Sequence, residues 1–139
     1  MHIFSCKTAI INMKEIICTN QAPAAIGPYS QAIRNGGFLF SSGQLGIDPS
    51  TGHFVEGGIK EQTVQVFKNV KAILAEAGYT MSDIAKTTVF LADIADFVTM
   101  NEVYATQFEG DYPARSTVAV KTLPKNGLVE IEVIAFKAK

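Results

Sequence analysis

The chain has no tryptophan, only two cysteines and two histidines, and no apolar run near the length of a membrane span. Each scarcity narrows the function. Cys6 and Cys18 form no C-x-x-C pair and have no histidine at zinc spacing, so no metal site is expected. Two cysteines are too few for a disulfide scaffold, and two reduced thiols in a cytoplasmic protein are expected. His2 lies near the N-terminus and His53 in a turn-rich segment. Neither makes an evident base for a serine or cysteine nucleophile. An excess of one charge is also missing. Twelve Lys and Arg stand against thirteen Asp and Glu, giving a net charge of −1 with no basic stripe. Binding to nucleic acid along its phosphates is therefore not favoured. The glycines fit neither G-x-G-x-x-G nor a Walker loop, so no nucleotide site is indicated.

Apolar residues are plentiful, at 47% of the chain against 18% charged, in a length of 139 that suits one domain. A small domain with that surplus can place apolar surface at a subunit interface. Residues 1–12, "MHIFSCKTAIIN", hold one lysine and an interrupted apolar stretch, a poor fit to a signal peptide. They are expected to be a loose tail or extension, with Met13 a better start and the domain running over 13–139.

Within that domain, "KEIICT" (14–19) is short and β-rich, and "NQAPAAIGPYSQ" (20–31) reads as a structured loop. Two strand-like runs flank Asn35-Gly36-Gly37, a hairpin signal. Residues 44–58 carry turn chemistry and read as loop. Val64, Phe67, Val70, Ile73, Leu74 and Ala77 then recur at three and four, predicting a helix that ends at Gly78. A strand over 84–93, a helix over 96–108 and alternating strands over 116–123 and 127–138 follow. This order predicts an α+β two-layer sandwich with a mixed sheet and both helices on one face. The other sheet face would need cover from another subunit.

Few residues carry chemistry. In "GDYPARSTVAV" (110–120) a compact turn delivers Arg115 into an alternating run. Its planar fork suits a carboxylate or phosphate, although lone arginines are also commonly solvated or ion-paired. Glu130 and Glu132 share one strand face, where one can orient or deprotonate a water, or both can simply be solvated. Tyr29 sits on a proline-stiffened loop, as a ligand donor or as a packing aromatic. Ser42 ends a strand beside Gly43, where backbone can approach a ligand closely. Asn101 falls on the second helix near Tyr104.

Six blocks, "APAAIGPYSQA" (22–32), "FSSGQLGIDPSTG" (40–52), "NVKAILAEAG" (69–78), "KTTVFLAD" (86–93), "YPARSTVAV" (112–120) and "LPKNGLVEIEVIA" (123–135), together resemble the Rid/YjgF family, nearest its RidA-type enamine/imine deaminases. The resemblance covers 13–137. It implies a chorismate-mutase-like fold, a homotrimer with sites between subunits, and no cofactor. Substrates would be 2-aminoacrylate, 2-aminocrotonate and their imine tautomers, with 2-keto acids and ammonia as products. It places the carboxylate clamp on Arg115, the water-handling carboxylate on Glu130, and binding roles on Tyr29, Ser42, Gly43 and Asn101. Thr117 stands where many relatives have a cysteine, which leaves a backbone N–H for the ligand but no thiol. A non-catalytic 2-keto-acid-binding protein is the alternative; a nuclease fits the charge less well.

Overall fold

The computed structural model describes residues 6–11 and 13–138. Seven strands form one sheet in the order β1 (Ala9–Ile11), β2 (Lys14–Ile17), β3 (Ala32–Asn35), β4 (Phe38–Ser41), β10 (Val129–Phe136), β8 (Ile84–Leu91), β9 (Ala114–Ala119). A short β5 (Gln44–Leu45) also pairs with β10, and β6 (Ile47–Asp48) pairs with β7 (His53–Phe54) outside the sheet. The β8–β9 pair is parallel, and the other pairs among the described residues are antiparallel. Helices α1 (Ile59–Ala77) and α2 (Phe97–Thr106) cover one face. This is the α+β arrangement that the order of apolar periods predicts.

The local reasons are visible in the chain. The β3–β4 hairpin closes through Gly36 and Gly37, with Gly36 at φ 63° and Asn35 paired to Phe38. Glycine adopts that left-handed backbone without steric cost. Helix α1 turns Val66, Phe67, Val70, Ile73 and Leu74 onto the sheet, each fully or almost fully buried. Each such side chain contributes about 1.5–3 kcal/mol of burial. The helix stops at Gly78, φ 81°, where Gly78 N donates to Ala75 O and Tyr79 N donates to Leu74 O. That pair of bonds satisfies two of the last helical carbonyls.

Alternation assigns the two faces of the sheet. Val129, Ile131, Val133 and Ala135 of β10 are buried under the helices. Glu130, Glu132, Ile134 and Phe136 therefore face the other way. On that open face Phe38, Phe40 and Phe136 pack against one another, with ring centroids 6.0 and 4.9 Å apart. All three stay nearly half exposed.

Three regions differ from the sequence reading. Residues 9–11, within the expected loose tail, form β1 and pair with β2 through Ala9–Ile16, Ile10–Glu15 and Ile11–Lys14. That hairpin brings Cys6 and Cys18 together, and they form a disulfide with Cα atoms 5.4 Å apart. The expectation of two free thiols is corrected here, because pairing depends on a fold that the twelve-residue spacing does not reveal. The expected loop 44–58 contains β5, β6 and β7. Its carbonyls are held by the helix instead of by an alternating pattern: buried Asn69 donates to Leu45 O and Ile47 O at 3.0 and 2.9 Å. The strand expected from Ser116 begins at Ala114, so Arg115 lies inside β9 and its direction is set by register.

Candidate active site

Two candidate regions are present, on different faces of the sheet. The first is a cavity of about 670 Å³ whose lining includes Tyr29, Ser42, Gly43, Glu130 and Glu132, with Ile26 on its apolar wall. It exists because β4 and β5 are one strand path interrupted at Ser42-Gly43. Val133 N meets Ser41 Oγ at 2.9 Å at that break. Gly43 then lies flat against a carboxyl group: a Cβ there would sit 2.7 Å from Glu130 Cδ. The position tolerates no side chain while Glu130 holds this rotamer.

Ser42 is committed. Its Oγ donates to Ser30 O at 2.6 Å and its N–H donates to Gln31 O at 2.8 Å. It shapes the cavity rim and has no base to make it a nucleophile. Tyr29 is half exposed at the rim, and its hydroxyl accepts from Ile26 N at 3.4 Å. The loop carrying it is anchored by Gln31, which the sequence reading passed over. Gln31 is buried, accepts from Thr19 N at 2.7 Å, and donates to Thr19 O and Pro23 O at 3.0 and 2.8 Å. Burial in the cavity wall pushes the Glu130 carboxyl above the ordinary glutamate range, and the nearby Glu132 charge pushes it the same way. Glu130 is thus the carboxyl in this cavity poised to exchange a proton nearer neutrality.

The second lies between α2 and β9. Parallel register sets Arg115 beside Thr87 and Thr117 beside Val89, so both project to the helix side. Phe97, Asn101 and Tyr104 are spaced by four and three along α2 and share the facing surface. The Arg115 guanidinium carbon lies 4.6 Å from the Tyr104 ring centroid and 5.6 Å from that of Phe97. No carboxylate pairs with Arg115 among the described residues; the ion pair recorded there is Arg34–Glu15. Asn101 Oδ1 and Thr117 Oγ1 are buried without hydrogen-bond partners. Native proteins rarely leave such atoms unpaired, which makes both residues candidates for contact with a ligand.

Of the seven residues singled out by sequence, Tyr29, Ser42, Gly43 and Glu130 come together in the cavity. Arg115, Asn101 and Thr117 lie outside its lining, on the helix side of β9 and on α2. The aromatic pair under Arg115 was missed, although the spacing of Phe97, Asn101 and Tyr104 carried the signal. Among the described residues no group of three or more His, Cys, Asp or Glu could hold a metal ion. Among the described residues no helix is long and apolar enough to cross a membrane.

Known proteins are similar to this chain in sequence and in fold. The family profile described as Endoribonuclease L-PSP matches residues 19–137. A RutC family protein of Pyrococcus horikoshii is 58% identical over 125 residues, covering 90% of this chain and 99% of its own length. The 2-iminobutanoate/2-iminopropanoate deaminase of Mus musculus is 49% identical over 125 residues, 90% of this chain and 93% of its own. A crystal structure of a Rid-family protein from Yersinia pestis is 53% identical, covers 89% of this chain and 99% of its own, and superposes with a TM-score of 0.87. With the motifs of residues 22–135 and the mixed sheet under two helices, these matches make the chain a RidA-like member of the Rid/YjgF family.

Proposed function

We propose that this chain hydrolyses enamine and imine acids, 2-aminoacrylate and 2-aminocrotonate with their imine tautomers, to 2-keto acids and ammonia. The observation that carries the reading is Arg115: a guanidinium over the Tyr104 and Phe97 rings, without a carboxylate of its own among the described residues. Such a fork binds a substrate carboxylate through two parallel hydrogen bonds. The unpaired Asn101 Oδ1 and Thr117 Oγ1 beside it suit a ligand that also carries N–H and C=N groups.

The chemistry asks little more than placement. The enamine takes a proton at carbon and becomes the imine. Water adds to C2, and the carbinolamine collapses with loss of ammonia. An imine already hydrolyses in water, so holding the carboxylate and delivering one water supplies most of the acceleration. Glu130, with its raised pKa, takes the proton from the attacking water and returns it to the departing nitrogen. Gly43 leaves the room that this carboxyl occupies.

Arg115 and Glu130 face opposite sides of the sheet. We therefore propose a homotrimer in which Arg115, Thr117 and Asn101 of one subunit complete the cavity holding Tyr29, Ser42, Gly43 and Glu130 of its neighbour. The exposed cluster of Phe38, Phe40 and Phe136 is the surface such an assembly covers. A cytoplasmic location belongs to the same proposal. The profile's description names an endoribonuclease, but a net charge of −1 without a basic stripe favours a small carboxylate over RNA.

The test is a coupled assay in which a dehydratase acting on serine or threonine generates the enamine and keto-acid formation is timed. Acceleration by this chain that disappears in Arg115→Ala establishes the activity. Absent acceleration with 2-keto-acid binding retained would make it a binding protein instead.

A further inference from the structure

An arginine side chain has many rotamers, and a two-point clamp needs its plane fixed before the ligand arrives. We propose that Tyr104 and Phe97 are positioning residues: a rigid aromatic shelf that sets the plane of the Arg115 guanidinium and so determines carboxylate affinity. Three observations carry this.

The first is contact. The guanidinium carbon is 4.6 Å from the Tyr104 ring centroid and 5.6 Å from that of Phe97, both within the range of cation–π attraction. The second is the fixity of the shelf. Tyr104 is buried, its hydroxyl shares a 2.8 Å hydrogen bond with buried Thr87 Oγ1, and its ring packs on Phe67 at 5.6 Å and on Phe108 at 5.0 Å. Register makes Thr87 the direct neighbour of Arg115 across the β8–β9 pair. The residue that fixes the phenol thus also stands beside the arginine's backbone, and ring and guanidinium are referred to one frame. The third is the lack of any competing anchor. No hydrogen bond or ion pair within the described residues holds the Arg115 head, so aromatic contact is what orients it.

Stacking leaves the in-plane N–H groups free to meet a carboxylate, which an ion pair with a protein carboxylate would not. A carboxylate fits such a fork, and on the deaminase reading it is that of a small 2-oxo or 2-imino acid. The inference rests on the deaminase reading for turnover and for that choice of acid, while carboxylate binding can be measured without it.

The experiment measures the dissociation constant of 2-oxobutanoate by calorimetry, and kcat and KM in the coupled assay, for the intact chain and for Phe97→Leu, Tyr104→Leu and Tyr104→Phe. Losing a cation–π partner should weaken binding roughly 3- to 30-fold. Both leucine variants should show that loss in Kd and KM, with kcat within about twofold, a split that general loosening of the fold does not produce. Tyr104→Phe keeps the ring and should recover most of the binding. If Tyr104→Leu does not fold, Phe97→Leu carries the test, since its ring lies at the margin of the core. Unchanged 2-oxobutanoate affinity in Phe97→Leu would overturn the shelf. So would equal losses in the Phe and Leu variants of Tyr104, which would assign the effect to the hydroxyl. A chain that binds no 2-oxo acid overturns it as well. A chain that binds normally, loses affinity in the leucine variants and catalyses nothing would refute the deaminase reading while leaving the shelf intact.

Discussion

Arg115 and Glu130 owe their properties to opposite surroundings. Arg115 sits on aromatic faces without an anion; Glu130 sits in a cavity wall near another carboxylate. Removing the arginine fork in Arg115→Ala should lower kcat/KM by on the order of 100-fold, the worth of a lost charge-assisted pair. Circular dichroism should remain unchanged, since no described residue depends on that head for a hydrogen bond. Glu130 makes a prediction with a definite sign. Its folded-state pKa is raised, so the folded chain holds the proton more tightly than the unfolded chain. Stability therefore falls as pH rises through the window between the ordinary and the raised value. Glu130→Gln removes that penalty and should raise Tm at pH 7. The gain should vanish below about pH 4, where both forms are neutral in both states. The same variant should turn over slowly while still binding 2-oxobutanoate. A Tm unchanged or lowered at pH 7 would refute the buried-carboxyl account. Arg115 and Glu130 were legible as candidates because a fork at a strand and two carboxylates on one face are sequence patterns. The shelf beneath Arg115 was legible only in part: the spacing of Phe97, Asn101 and Tyr104 marks one face of α2, but which strand that face meets depends on the fold, and the alternation placed the start of that strand two residues late.

At the scale of elements, strong local periods were readable and pairings held by side chains were not. Helix α1 shows its apolar stripe and its glycine stop openly, and the β3–β4 hairpin shows its Gly-Gly loop. Strands β5 and β6 are only two residues each, too short for alternation, and their carbonyls are bound by Asn69. Gly46 between them rests on the helix, where a Cβ would lie 2.8 Å from Gln62 Cα. Gly46→Ala should therefore destabilise the fold by about 1–3 kcal/mol, read by denaturant unfolding. The disulfide belongs to the same scale. Cys6–Cys18 ties β1 to β2 beside Thr8, whose hydroxyl donates to Cys18 O at 3.3 Å. The cavity loop beyond it is held separately by Gln31. Cys6→Ser should cost up to about 3 kcal/mol of stability through the released loop. Deaminase turnover should stay within about twofold; a larger fall would mean that β1 reaches the site.

At the scale of the whole molecule, one chain carries Arg115 and Glu130 on opposite faces of its sheet, with half-exposed phenylalanines on the face that bears Glu130; the proposed trimer brings the two together across subunits. The absence of helices from one sheet face was readable from the order of elements. That Arg115 and Glu130 lie on opposite faces was not, since it depends on strand register rather than on motif; a site between subunits came only as an implication of the resemblance. The most direct test of the account uses two inactive chains. Arg115→Ala and Glu130→Gln are prepared separately and co-expressed at equal levels, and imine hydrolysis is measured in all three samples. If each site takes its arginine from one subunit and its glutamate from the neighbour, mixed oligomers contain intact sites. Activity should then return to about one quarter of the unaltered chain, the random-assembly share. Recovery to that level is the predicted result. Mixed oligomers as inactive as the separate variants would contradict a site shared between subunits.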